Sequence, residues 1–310
     1  MIIYVDAPLA DVHKQRLVKH AAGDEFIFKD EIKDDQQRLE KLLEADIVFG
    51  NPKPPEWLEK ASDLKWIQFP SAGFELYKNI KTNAITTNMQ DYYSEPCAET
   101  IVAGILALCR GMDDFTLLKD QKKWLGYKAR SGLWLLKNKR VFILGAGNIG
   151  KRVAKLLGGF DCEIFFYGRK ETINTPADLE ILLPAADIVV GCLPGTIETK
   201  GLFTKKMIER LHNKAIFCNV GRGNLLEDEN ALIEALMTGR IGGAVLDVTA
   251  SEPIPADHPL WNCPNTILSQ HSGGGSDEEF DGIIDFFLEN LENFKKDRPL
   301  RNQVQLSKGY

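Results

Sequence analysis

Short apolar runs alternate with polar, helix-spaced segments along the whole chain, and this alternation predicts repeated strand–helix units. In the first hundred residues IIYV (2–5), EFIF (25–28), DIVF (46–49), KWIQF (65–69) and AITT (84–87) read as strands. Apolar residues three and four apart in LADVHKQRLVKHA and DQQRLEKLLE predict helices between them. From Pro96, CAETIVAGILALCRGM is apolar on most faces and reads as a helix running between two domains. Residues 113–138 mix Trp124 and Trp134 with many lysines and read as an amphipathic arm, on the surface or between subunits. A second alternating series begins at Arg140, with strands at RVFIL, EIFFY (163–167), ADIVV (186–190), AIFCNV (215–220), GGAVLDV (242–248) and NTILS (265–269). DFFLENLENFKK predicts a last helix, and RPLRNQV after it a segment that packs back on the first domain. Strand–helix alternation of this kind gives mostly parallel sheets with helices on both faces.

A chain of 310 residues can bury two cores, and two alternating series call for two domains. The charge is nearly balanced, 38 basic against 44 acidic residues, with no basic stripe for nucleic acid. No apolar run is long enough for a bilayer, and MIIYVDAPL reads as a first strand rather than a signal peptide. The six cysteines are scattered without CxxC spacing, which points to buried thiols, no metal site and a reducing cytoplasm.

Chemistry first surfaces in GAGNIG, which follows VFIL and precedes the helical IGKRVAKLL. Gly145, Gly147 and Gly150 let backbone approach a pyrophosphate at the positive end of a helix, with Asn148 and Ile149 supplying its first amides. We therefore expect an α/β protein. Residues 98–281 would form a doubly wound Rossmann-type dinucleotide-binding domain, and 1–97 with 282–310 a smaller, flavodoxin-like substrate domain. About 20 positions past the turn, where an acidic residue would bind the ribose hydroxyls of NAD, stand Gly168, Arg169 and Lys170. Two cations and no carboxylate favour the 2′-phosphate of NADP(H), with NAD(H) still possible. His271 ends the last strand, where parallel sheets bind ligands, and its ring suits proton exchange with a carbonyl oxygen. Glu252, after the fifth strand, can stabilise its imidazolium, and Arg222, after the fourth, can fork onto a carboxylate. Asp247 can accept from a nicotinamide carboxamide or cap a turn.

LLKNKRVFILGAGNIGKRVAKLL, LPGTIETKGLF, NVGRGNLLEDENALIEAL, GGAVLDVTASEPIPADHPLW and PNTILSQHSGGG together resemble the D-isomer-specific 2-hydroxyacid dehydrogenase family over nearly the whole chain. The resemblance implies that Arg222 binds a substrate carboxylate, that Glu252 pairs with His271, and that His271 is the acid/base. It implies further cofactor contacts at Leu193, Pro194, Thr199, Val220 and Gly221. The loop PSAGFELY is similar to the one whose amides hold the carboxylate from the other domain, at Ala72, Gly73 and Phe74, with Asn51 reaching the same cleft. Phe74 is expected to add an apolar wall there. The chain departs from the family at Gln270, often proline, and Thr249, often aromatic. The expected activity is reduction of a small 2-oxo acid of the glyoxylate or hydroxypyruvate kind by a homodimer lacking the extra regulatory domain of many phosphoglycerate dehydrogenases. Two alternatives stay open: a dinucleotide-sensing corepressor on the same fold, and a phosphite- or phosphoglycerate-type dehydrogenase; formate oxidation needs no proton donor to a carbonyl, and the Glu252–His271 pair argues against it.

Overall fold

The computed structural model describes residues 1–309, divided into two units: Met1–Tyr92 with residues 276–309, and Tyr93–Gly275. The changeovers fall a few residues before those read from the sequence.

The first unit holds a parallel sheet of β1 (Ile2–Val5), β2 (Glu25–Phe28), β3 (Ile47–Phe49), β4 (Trp66–Gln68) and β5 (Ile85–Thr87). Their order, β2-β1-β3-β4-β5, is the flavodoxin-like one. Helix Glu279–Lys295 returns to this unit: Phe287 stacks on Phe49 with ring centroids 4.3 Å apart and on Trp66 at 5.2 Å. All three rings are fully buried, each burial contributing about 1.5–3 kcal/mol. The segment after that helix folds back on β5 as expected, with the Val304 N–H donating to Thr86 O at 2.9 Å and an antiparallel bridge pairing Thr87 with Gln303.

The second unit carries β6 (Arg140–Leu144), β7 (Glu163–Tyr167), β8 (Ile188–Gly191), β9 (Ile216–Asn219), β10 (Gly243–Leu246) and β11 (Thr266–Leu268), all parallel. The order is β11-β10-β9-β8-β6-β7. A Rossmann sheet has a further strand outside β7, and here it is reduced to one parallel bridge, Tyr167 to Ile173. Strands β6, β8, β9 and β10 are buried on both faces, which is why they read as continuous apolar runs, while the flanking β7 and β11 are only partly buried.

Helix Ser94–Arg110 packs Ile101, Ile105 and Cys109 into this unit's core beside Val141, Val153 and Val245, and ends at Gly111 with φ 62°. The arm that follows contains helix Met112–Asp120 and a 3-10 segment, Gly126–Gly132. Its two tryptophans behave differently. Trp134 packs on the core with the Lys139 ammonium 5.1 Å from its ring centre, whereas Trp124 is 95 % exposed.

Candidate active site

Every candidate of the second unit lies at the carboxyl edge of its sheet. Gly145 follows β6, Gly168 follows β7, Leu193 follows β8, Arg222 follows β9, Asp247 follows β10 and His271 follows β11. The strand order reverses between β6 and β8, where such sheets bind ligands.

The glycine turn is built for close approach. Gly145 has φ 114°, a conformation side chains rarely adopt, and its N–H donates to Tyr167 O at 2.9 Å. A Cβ on Gly150 would lie 2.1 Å from Gly145 O, so the helix Asn148–Gly158 sits hard against the turn. Gly147 differs, because a Cβ there would meet nothing within 4 Å. It is the N-cap of that helix and no side chain caps the helix amides, so the amides of Asn148 and Ile149 are left to an anion. These residues fit a dinucleotide pyrophosphate.

Past β7, Gly168 opens a tight turn in which its N–H donates to Ile173 O at 3.0 Å and its O accepts from Glu171 N at 2.9 Å. Arg169 and Lys170 project from it, both exposed. The loop after β8 carries Leu193 and Pro194 and is knotted by Thr199, whose hydroxyl donates to Pro194 O at 2.5 Å and accepts from Thr196 N at 2.9 Å. Thr199 thus shapes this loop. Val220 and Gly221 are buried, and a Cβ on Gly221 would be 2.4 Å from Leu193 O, which binds the two loops together.

His271 and Glu252 meet directly: the ring Nδ1 is 2.6 Å from Glu252 Oε2. A carboxylate only accepts, so Nδ1 bears the proton in this bond and Nε2 is left for exchange with a ligand. The ring is half exposed, with 51 % of its side-chain surface open. The other Glu252 oxygen accepts from Thr249 N at 3.0 Å. Gln270 and His271 are both left-handed, φ 56° and 55°, and the His271 N–H closes the turn on Asp247 O at 2.6 Å. Proline, fixed near φ −65°, could not take the conformation that Gln270 adopts.

Asp247 is 4 % exposed, and its Oδ1 accepts from Ser269 Oγ at 2.8 Å and Gly273 N at 2.9 Å, tying β10 to the His271 loop. Arg222 lies against the β8 loop, where a Cβ on Gly195 would be 3.1 Å from its Cγ, and its Nη1 donates to Gly221 O at 2.8 Å. Sequence reasoning passed over the groups that hold this loop. Fully buried Asn219 donates to Arg222 O at 3.0 Å and accepts from Gly221 N at 3.1 Å. A Cβ on Gly223 would be 1.8 Å from Thr249 O, so only glycine lets the Arg222 and Glu252 loops touch. The one available signal was the polar Asn219 ending an apolar strand.

In the first unit the structure gathers Asn51 and the 71–74 loop at the ends of β3 and β4. Ser71 Oγ is 3.3 Å from Asn51 Oδ1 and 2.7 Å from Gly73 O, and Asn88 Nδ2 donates to Ala72 O at 2.6 Å. Phe74 corrects an expectation: its ring is 1 % exposed and stacks on Phe69 with centroids 6.2 Å apart. It anchors the loop in the core and forms no apolar wall.

Residues 102–273 match the NAD binding domain of the D-isomer specific 2-hydroxyacid dehydrogenases. Glyoxylate/hydroxypyruvate reductase HPR3 of Arabidopsis thaliana is 31% identical over 271 residues, 84% of this chain and 83% of that protein. Glyoxylate/hydroxypyruvate reductase B of Salmonella schwarzengrund is 32% identical over 251 residues, 76% of each chain. A solved D-isomer specific 2-hydroxyacid dehydrogenase family protein from Aeromonas salmonicida superposes with a TM-score of 0.82 at 28% identity, covering 98% of this chain and 99% of that one. The chain belongs to the D-isomer specific 2-hydroxyacid dehydrogenase family. It is an NAD(P)-dependent oxidoreductase.

Proposed function

We propose that the chain reduces a small 2-oxo acid of the glyoxylate or hydroxypyruvate kind to the 2-hydroxy acid, with NADPH as the preferred coenzyme. The observation that carries this reading is the 2.6 Å His271–Glu252 pair at the carboxyl edge that also bears Arg222 and the glycine turn. The glycine turn and the first amides of helix Asn148–Gly158 hold the pyrophosphate, and Arg169 with Lys170 hold the 2′-phosphate that a carboxylate at position 168 would repel. The loops of Leu193, Pro194, Val220 and Gly221, with Asp247, complete the coenzyme residues. A reduced nicotinamide, when bound, supplies the hydride that reaches the carbonyl carbon. Protonated His271 gives its proton to the carbonyl oxygen, and Glu252 keeps the ring oriented and stabilises its charged form. Arg222 forks onto the substrate carboxylate and turns the carbonyl toward His271. Asn51 and the backbone of Ala72, Gly73 and Phe74 are the substrate residues of the first unit.

The names of the relatives at 31% and 32% identity support the substrate kind. Six free thiols favour a reducing compartment such as the cytoplasm, and among the described residues no helix is long and apolar enough to cross a membrane. The exposed Trp124, Leu117 (60 %) and Tyr127 (81 %) of the arm favour a homodimer made through it, and a one-chain mass by light scattering overturns that part. The test of the function is a panel of 2-oxo acids assayed with NADPH and NADH separately. Reduction of glyoxylate or hydroxypyruvate with the higher kcat/KM for NADPH is expected. No turnover of any 2-oxo acid overturns the reading, and equal efficiency with both coenzymes overturns the preference.

A further inference from the structure

Glu229 opens helix Glu229–Met237, directly after the loop that carries Arg222, and only 10 % of its side-chain surface is exposed. Its Oε1 accepts the backbone N–H of Ala250 at 2.8 Å. Its Oε2 lies 3.5 Å from Nε2 of His258. Nδ1 of His258 accepts from Leu260 N at 3.4 Å, so the ring proton sits on Nε2 and faces Glu229. Ala250 and His258 bracket the loop that contains Glu252. One carboxylate therefore holds the loop upstream and downstream of the residue that pairs with His271. On the upstream side the anchors are consecutive: Gly223 lies against Thr249 O, Glu229 binds Ala250 N, and Thr249 N binds Glu252 itself.

We propose that Glu229, with His258, is a positioning residue for the reaction, fixing the loop that aims Glu252 at His271. The proposal rests on the reading of His271 as proton donor. A 2.6 Å hydrogen bond between two half-exposed side chains requires its backbone to be placed to a few tenths of an ångström. Freeing both ends of the loop lets Glu252 drift, and with it the ring that must meet the carbonyl oxygen. A misplacement of about 1 Å costs up to about a hundredfold in rate. The conservative Glu229→Gln keeps an oxygen to accept from Ala250.

The experiment compares Glu229→Ala, Glu229→Gln and His258→Phe with the unchanged chain, by steady-state kinetics and by the NMR signal of the His271 ring Cε1–H. That signal is assigned by its loss in His271→Asn and needs no turnover. Glu229→Ala is expected to lower kcat by about tenfold to a hundredfold, with the KM for the 2-oxo acid and the Kd for NADPH within about twofold. Its His271 ring signal should shift, Glu229→Gln should restore most of both, and His258→Phe should give a smaller loss in the same direction. A Glu229→Ala variant with unchanged kcat and an unmoved ring signal overturns the proposal, as does equal loss in Ala and Gln variants. If Glu229→Ala does not fold, an unmoved ring signal and unchanged kcat in His258→Phe overturn it instead. If the unchanged chain reduces no 2-oxo acid, the functional reading fails, while the ring signals still decide whether Glu229 positions the pair.

Discussion

Two glycines three residues apart should respond in opposite ways to one added methyl group. At Gly150 a Cβ would lie 2.1 Å from Gly145 O and 3.1 Å from Ile143 Cγ2, and the first of these is backbone that cannot swing aside. Gly150→Ala must lift the start of helix Asn148–Gly158 off the turn, at a cost of about 1–3 kcal/mol. At Gly147 the Cβ would meet nothing, and φ −77° with ψ −169° is open to alanine. Gly147→Ala should therefore change the free protein's stability little, because the gain of about 0.4–1 kcal/mol through the unfolded chain is offset by alanine's poorer fit at a helix N-cap. The coenzyme sees the reverse. In the proposed coenzyme site the space in front of Gly147 is the pyrophosphate's approach to the helix amides, and losing one charge-assisted hydrogen bond there would cost about 1.5–3 kcal/mol. That corresponds to a Kd for NADPH raised by roughly ten- to a hundredfold. Thermal melts without ligand and fluorescence titration with NADPH separate the two effects. A Gly147→Ala variant that binds NADPH as tightly as the unchanged chain refutes the placement of the pyrophosphate. An undiminished melting temperature for Gly150→Ala refutes the close packing of helix on turn.

Arg169→Ala should raise the KM for NADPH much more than that for NADH, because only the former carries a 2′-phosphate; equal changes in both would remove the basis for the coenzyme preference. Burial pushes the Cys97 and Cys109 thiols up to about 12, so neither should react with a disulfide reagent at pH 8 in the folded chain, while all six cysteines should react in urea. Those two thiols ionise in the unfolded chain from the ordinary value of 9.0 upward, which leaves it with fewer bound protons than the folded one. Stability should accordingly fall as pH rises above about 9, read as a lower urea midpoint at pH 10 than at pH 8; an equal or higher midpoint would contradict it.

Much of this architecture was legible in the order of residues, for a physical reason. Strands of parallel sheets are covered on both faces, so RVFIL and AIFCNV stand out as unbroken apolar runs, and the loops at their carboxyl ends follow at once. Gly145, Arg222, Asp247, Glu252 and His271 could be placed at one edge in that way. What stayed hidden depends on contacts between segments far apart in the chain. The outer strand of the Rossmann half shrinks to the single bridge at Ile173 and leaves no periodic signal. Phe74 beside a glycine reads equally as wall or anchor, and only its stacking on Phe69 decides for the core. The left-handed backbone at Gln270 and His271 has no sequence mark such as glycine. His258 in its proline-rich loop carries no local signal, because its partner Glu229 comes from a different strand–helix unit.

The pairing of His271 with Glu252 as the proton-handling device of a 2-oxo acid reductase is tested most directly by turnover in His271→Ala, measured beside coenzyme binding. In His271→Ala, kcat with glyoxylate or hydroxypyruvate should fall by about 10²–10⁴-fold while the Kd for NADPH stays within about twofold. Unchanged turnover, or equal losses in turnover and coenzyme affinity, would make this histidine a structural residue and rule it out as the proton donor.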